Sequence, residues 1–398
     1  MGTLTLTNLI PSIQMGMDTV SRELVGFIPA VSRDTGISTD GKPSRAAVGQ
    51  VVVSPVVGAM AAEDLTPAAY AADTPNQTIG NVQMQITKAR SVPFGITGEE
   101  GMGLGNAGLL DVVNRDRIAQ ALRTLVNEVE TDLAALHIYA SRAYGTYNAV
   151  PFSIAGDLSD FSQPRKILND NGSPQSDMHM VLGSSAVAAI QGKQSTLFQA
   201  NTGGPMAEAL LRRGALGMVD GFDLHNSSQV KTAVTAGTNN GSATTNTAGY
   251  AIGATTITLA SAGTGTIIAG DIITFANDAN KYLVATGDSD VSNAGTIVLA
   301  EPGLRQALPA SAVTITTTAA TTRNMFFHRS AIQLATRAPA MPDGGDAADD
   351  VLIQIDPVTG IAFEFCVYKQ KRQNRYEVNL AWGVKMVAPR HCGVLIGD

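Results

Sequence analysis

Charged residues are scarce. Asp, Glu, Lys and Arg make up 15% of the 398 residues, against the roughly 25% usual for soluble domains. A surface poor in charge disperses badly in water and favours association. The deficit is uneven, however. From Lys231 to Thr322 the only basic residues are Lys231, Lys281 and Arg305, and the only acidic ones are Asp271, Asp278, Asp288, Asp290 and Glu301. Threonine hydroxyls supply the polarity there, so composition alone argues only weakly for oligomers. Lys and Arg number 27 against 34 Asp and Glu, a net charge of −7. That sign excludes a surface that grips nucleic acid everywhere through counterion release, although a local basic patch is still compatible with it. Two cysteines, Cys366 and Cys392, exclude a disulfide scaffold and suit a reducing compartment.

Long apolar runs are also missing. The longest, Val51 to Ala62, is broken by Ser54, Pro55 and Gly58 and falls short of a bilayer core of about 30 Å. The first basic residue is Arg22, so the charged region of a signal peptide is lacking. Leu6 stands where a myristoylation signal needs Ser or Thr. The expectation is a soluble protein made without export and with no membrane partner.

Catalytic signatures are absent or fail on inspection. Gly103-Leu104-Gly105-Asn106-Ala107-Gly108 matches GxGxxG after a possible strand, Val92 to Ile96. Yet the acidic residues some twenty positions on, Glu128 and Glu130, lie inside a helix and no βαβ unit surrounds them. A flexible glycine-rich hinge is the preferred reading. Gly192-Lys193-Gln194-Ser195 lacks the Ser or Thr and the first glycine of a phosphate loop. In Asp288-Ser289-Asp290-Val291-Ser292 the calcium-loop pattern breaks at Asn293 and Leu299. The acidic loop with Asp343, Asp346, Asp349 and Asp350 reads as solvated. His137, His179, His225, His328 and His391 are scattered, with no second ligand at usable spacing. No enzyme, cofactor, metal or catalytic residue is expected. A nucleotide-binding enzyme is the remote alternative.

The elements present follow a distinctive order. Pro11 opens a short amphipathic arm in which Ile13, Met17, Val20 and Leu24 share a face. Val48 to Val57 and Asn81 to Arg90 read as strands of a long extended hairpin-like excursion. A helix is predicted from Asn114, its N-cap, to Tyr144, where Gly145 stops it. Ile118, Leu122, Leu125, Val129, Leu133 and Leu136 form its stripe, and its length of about 45 Å suits a spine. Met178 to Leu182 reads as a buried strand, and Ala186 to Phe198 and Pro205 to Arg213 as helices. The Thr/Gly-rich stretch then carries strand runs at 256–259, 271–275, 282–284, 296–299 and 313–316, an all-β module. It is flanked by Gly221–His225 and Asn324–His328, which suit paired strands of the surrounding sheet. The last strand pair is joined by Lys369-Gln370-Lys371-Arg372-Gln373-Asn374-Arg375, the most basic stretch of the chain. An isolated loop of this kind reads first as a solvated hairpin tip, and second as a contact for phosphates or a neighbour's carboxylates.

This order resembles the major capsid (coat) protein of tailed double-stranded DNA bacteriophages with the Hong Kong 97-like fold, of the short-tailed-phage type with an inserted β-barrel domain. The residues that carry the resemblance are Leu4-Thr5-Leu6-Thr7-Asn8, Ala269-Gly270-Asp271-Ile272-Ile273-Thr274-Phe275 and Pro302-Gly303-Leu304. To these are added Phe327-His328-Arg329-Ser330-Ala331-Ile332, Ala335-Thr336-Arg337-Ala338-Pro339 and Ala381-Trp382-Gly383. The resemblance implies an α+β fold divided into an N-terminal arm (1–40), an extended loop with flanking strands (41–100), and a peripheral domain with the spine helix (101–150). An axial and remaining peripheral α/β core (151–230 and 323–398) and an inserted β-rich domain (231–322) complete it. It implies a shell subunit in the virion capsid, assembled in the host cytoplasm. Its partners would be further copies of itself in pentamers and hexamers, a scaffolding protein, a portal protein and, without sequence preference, the packaged double-stranded DNA. Candidate scaffold or subunit contacts are Asp18, Arg22, Glu23, Lys369, Lys371, Arg372 and Arg375. A cellular cargo-enclosing nanocompartment shell of the same fold is the nearest alternative, and the large insertion speaks against it.

Overall fold

The computed structural model describes residues 6–20, 25–34, 45–57, 79–193, 216–230, 236–239, 243–356 and 359–398. Helices and extensive sheets are both present, so the fold is α+β.

The spine helix runs from Leu110 to Ala134 and buries Ile118, Leu122, Leu125, Val129 and Leu133, the stripe its periodicity predicts. Its ends differ from the expectation. Asn114 is a buried residue of the second turn, not the N-cap, and Gly108 with φ +70° marks the entry instead. At the other end the chain tightens into a 3-10 turn, Ala135–Tyr139, and leaves as the strand Arg142–Tyr144. The apolar spacing continues through Leu136, but the α-helix does not. At 25 residues it is about 37 Å long.

Against one side of the spine lies the helix Leu6–Val20, burying Ile13 and Met17. At Ile13 and Met17 the arm's apolar face is therefore covered by its own chain, while the Val20 side chain and Leu24 lie outside the described residues. Pro11 falls at the sixth position, not in the first turn. Gly16 lets the two helices close up, since a Cβ there would lie 3.1 Å from Ile118 Cγ2.

A seven-stranded, mostly antiparallel sheet packs beneath the spine. Its long strand, Gln373–Met386, pairs with Lys88–Thr97, with Ala362–Gln370 and with Ile332–Pro339. Trp382 is fully buried in it. The indole Nε1 donates to Asp132 Oδ2 on the spine at 2.9 Å, and Lys88 Nζ meets Asp132 Oδ1 at 2.7 Å. Gly383 follows, and a Cβ there would overlap the Gln85 carbonyl oxygen. This glycine lets the backbone at the base of the excursion reach the sheet.

The excursion is a two-stranded hairpin, Val51–Val57 against Ile79–Gln85. The stretch Asn81–Arg90 is not one strand: it breaks at Ile86-Thr87, and Lys88–Thr97 joins the large sheet.

In the central region Met178–Leu182 is a wholly buried strand, as expected. It pairs on one side with Arg323–His328 and on the other with Phe222–Asn226. The two strands that flank the Thr/Gly-rich stretch thus share a sheet but are separated by this one. A helix covers Ser184–Lys193. Its expected continuation to Phe198 and the helix Pro205 to Arg213 lie outside the described residues.

Strands at 256–258, 272–275, 281–286, 296–299 and 315–317 follow the five expected runs closely. Ile257, Phe275, Tyr282, Val284, Ile297 and Ile315 belong to their own apolar cluster. The region is not free-standing, because Lys281 and Tyr282 pair with Ala143 and Arg142 of the central sheet. Arg142 also reaches Asn280 and Asp170. At the same seam Asp271 accepts from Gly237 N and Ile268 N at 3.0 and 2.8 Å beside the buried Arg323.

His137, in the 3-10 turn that ends the spine, lies with its Nδ1 3.0 Å from the Ala134 carbonyl. Burial, and secondarily the Arg323 charge, hold its pKa below the usual imidazole value. A histidine depressed in the folded state stabilises above its unfolded pKa of about 6.5, and that contribution is lost as pH falls toward the folded value. His137→Gln should therefore show a smaller loss of melting temperature between pH 7.5 and pH 5.5 than the parent chain. Equal losses would refute the assignment.

Candidate assembly surface

The basic stretch expected to be a loop is mostly strand. Ala362–Gln370 and Gln373–Met386 are in register to their ends, Gln370 opposite Gln373. The connection is only Lys371-Arg372, with Arg372 at φ +60°. Lys369 pairs with Asp349, and Arg375 Nε meets Glu377 Oε1 at 2.7 Å, so two of the four candidate charges are neutralised within the chain. Lys371 and Arg372 are exposed at the tip, with no ion pair among the described residues. Asp346, in the acidic loop, accepts from the Tyr368 hydroxyl. That loop therefore braces the tip from its own chain. Of the arm candidates, Asp18 lies in the first helix with its side chain outside the described residues, and Arg22 and Glu23 lie wholly outside them.

Beside the tip stands the glycine-rich segment. Gly98–Asn106 is a helix, not a hinge, and Gly103 and Gly105 lie inside it. A capping box starts it: Glu100 N donates to Thr97 Oγ1 at 3.2 Å and Thr97 N to Glu100 Oε2 at 3.2 Å. Gly98 N also donates to Arg372 O at 2.9 Å, which ties helix to tip. The preceding strand is antiparallel to its neighbour, so the strand-turn-helix cradle of a dinucleotide fold is not formed at this loop.

Four of this helix's nine residues are glycine and none is buried. Each glycine costs about 1 kcal/mol relative to alanine, with no compensating burial within the chain. Between helix and tip opens a groove of about 1110 Å³ lined by Ile96, Met102, Leu110, Lys371, Arg372 and Tyr376. Met102, Leu109 and Val112 leave an exposed apolar strip from this helix onto the spine.

The excursion shows the same imbalance. Two-stranded hairpins are marginal in water, yet Val51 and Val53 are exposed along it.

Reactive groups are subdued elsewhere. Burial pushes the Cys366 thiol up to about 12 and Cys392 higher still, so neither is a ready nucleophile. In the calcium-like stretch the carboxylates turn inward on the loop: Asp288 accepts from Asp290 N at 2.9 Å, and Asp290 from Ser292 N and Asn293 Nδ2 at 3.0 and 2.6 Å. The histidines are less scattered than the sequence suggests, because His179 and His225 meet across paired strands.

The chain matches no known family model and no curated protein. Among solved structures it is similar to the capsid of cyanophage P-SCSP1u, with 9% identity over 93% of this chain and 86% of that one, at a TM-score of 0.47. It is also similar to a structure from Mycobacterium phage Che8, with 12% identity over 87% and 84% and a TM-score of 0.43. A third is a virus-like particle from Pyrococcus furiosus, with 7% identity over 97% and 98% and a TM-score of 0.43.

Proposed function

We propose that this chain is the major capsid protein of a tailed double-stranded DNA bacteriophage, a Hong Kong 97-like subunit that builds an icosahedral shell from pentamers and hexamers of itself. The observation that carries the reading is the two-stranded hairpin 51–57/79–85, which leaves Val51 and Val53 exposed. A neighbouring copy would supply the missing burial. The uncovered glycine-rich helix, the charged tip beside it and the rigid spine fit the same role.

In this reading the subunit is not an enzyme. It assembles in the host cytoplasm with a scaffolding protein, meets a portal protein at one vertex, and encloses DNA without sequence preference. The arm residues Asp18, Arg22 and Glu23 are scaffold-contact candidates. Lys371 and Arg372 are the strongest subunit contacts, with Lys369 and Arg375 serving to hold the tip. The segment 231–322 is an inserted domain that steadies the subunit through its seam with residues 142–145.

Reversing the tip charges tests the site. The double variant Lys371→Glu/Arg372→Glu reverses exposed charges only, so its circular dichroism and melting temperature should match the parent within about 0.5 kcal/mol of stability. The subunit concentration needed for shells to appear in a sucrose gradient should rise at least tenfold, corresponding to about 1.4 kcal/mol per subunit. Shells formed at the parental concentration would remove the tip from the assembly contacts.

A further inference from the structure

The strands Met178–Leu182 and Phe222–Asn226 run parallel, with His179 opposite Asp223 and Val181 opposite His225. Side chains two apart on a strand share a face, so Asp223 and His225 both turn toward His179. His179 Nδ1 lies 3.1 Å from His225 Nε2 and 3.9 Å from Asp223 Oδ2, and His225 Nε2 lies 3.4 Å from the same oxygen. Ligand atoms around a tetrahedral ion with bonds of about 2.1 Å stand roughly 3.4 Å apart. The three atoms already describe one face of such a tetrahedron.

The surroundings orient the key ring. His179 is 2% exposed, and its Nε2 is 3.0 Å from Asp177 Oδ1. Arg329 meets both groups, its Nε 3.1 Å from Asp177 Oδ2 and its Nη2 3.1 Å from His179 Nε2. A carboxylate behind a histidine fixes the proton on the rear nitrogen and turns the front lone pair outward, the arrangement found behind metal-bound histidines. In the tautomer whose Nε2–H is directed at Asp177, His179 Nδ1 presents its lone pair beside His225 Nε2 and Asp223 Oδ2. A cation satisfies all three. Arg329 pairs with Asp177, and among the described residues Asp223 faces the two rings with no Lys or Arg ion pair.

We propose that His179, Asp223 and His225 bind a divalent transition-metal ion of the zinc class. Two imidazoles and one carboxylate select such an ion over calcium or magnesium, which prefer all-oxygen shells. Asp223 is half exposed, so the fourth position opens to water. The ion pins two parallel strands that are 46 residues apart in the chain at the histidines and stiffens the central sheet.

The test uses the full chain, unassembled, stripped with chelator and titrated with Co²⁺ as a spectroscopic stand-in for Zn²⁺. The expected result is the visible d–d absorption of tetrahedral cobalt, saturating at one ion per chain and displaced by Zn²⁺. His225→Ala and Asp223→Asn, at positions nearer the surface than His179, should fold normally by circular dichroism. Each should weaken cobalt binding by about 100-fold, and Asp177→Asn by about 10-fold. The absence of tetrahedral bands in the parent chain would overturn the proposal, as would affinities unchanged in the folded His225→Ala and Asp223→Asn variants.

Discussion

Replacing Glu130 by alanine is expected to destabilise the fold by about 3 kcal/mol. Glu130 lies on the spine helix and is 1% exposed. Its carboxylate accepts from the backbone N–H of Gly26, Phe27 and Ile28 at 3.3, 3.1 and 2.7 Å, and from the Ser227 hydroxyl at 2.8 Å. Those three amides open the short buried helix Phe27–Ala30, so one side chain satisfies the donors of a helix start about a hundred residues away. Burial pushes the carboxyl above its usual pKa, and the donors oppose that shift. Alanine leaves every donor buried without a partner. Glu130→Gln keeps one acceptor where Gly26, Phe27 and Ser227 converge but turns an amide N–H₂ toward Ile28 N–H, so about half the loss should remain. Urea unfolding followed by the fluorescence of Trp382, the single tryptophan, measures both. An alanine variant within 0.5 kcal/mol of the parent would show that the cap is dispensable.

Trp382→Ala should cost about 3–5 kcal/mol, read by far-UV circular dichroism in urea because the fluorophore is lost. The side chain fills the space between the spine and the large sheet, where its strand pairs with both Lys88 and Thr336. Its removal leaves a cavity and takes one donor from Asp132. Trp382→Phe restores most of the packing without the indole N–H, so about 1 kcal/mol should persist. If phenylalanine were as damaging as alanine, the bond to Asp132 would outweigh the packing.

Local periodicity carried much of the fold. The spine's buried stripe follows from a spacing of 3.6, and the strand Met178–Leu182 and the strand runs between 256 and 317 follow from short apolar runs bounded by turn residues. Where competing local signals existed, the reading failed. Thr97-Gly98-Glu99-Glu100 is a capping-box pattern that announces the helix Gly98–Asn106, but the glycines that follow suggested a hinge. Seven consecutive polar residues from Lys369 to Arg375 look like a loop. Cross-strand pairing on both sides of Gln373–Asn379 holds them in the sheet instead.

The long-range sites left no local trace. Glu130 looks like one more charge on a helix until residues 26–28 and 227 close over it. His179 and His225 lie far apart in the chain, and only the parallel pairing of their strands brings Asp223 between them. The candidate assembly surface was half legible, because charge marks the tip but not which charges are already paired.

The most direct test of the shell assignment is electron microscopy of the purified chain expressed with and without a candidate scaffolding protein. The account predicts closed icosahedral particles with pentameric and hexameric clusters, more uniform when scaffold is present. A chain that stays a compact monomer under every condition, with the hairpin 51–57/79–85 protected from proteolysis, would contradict it.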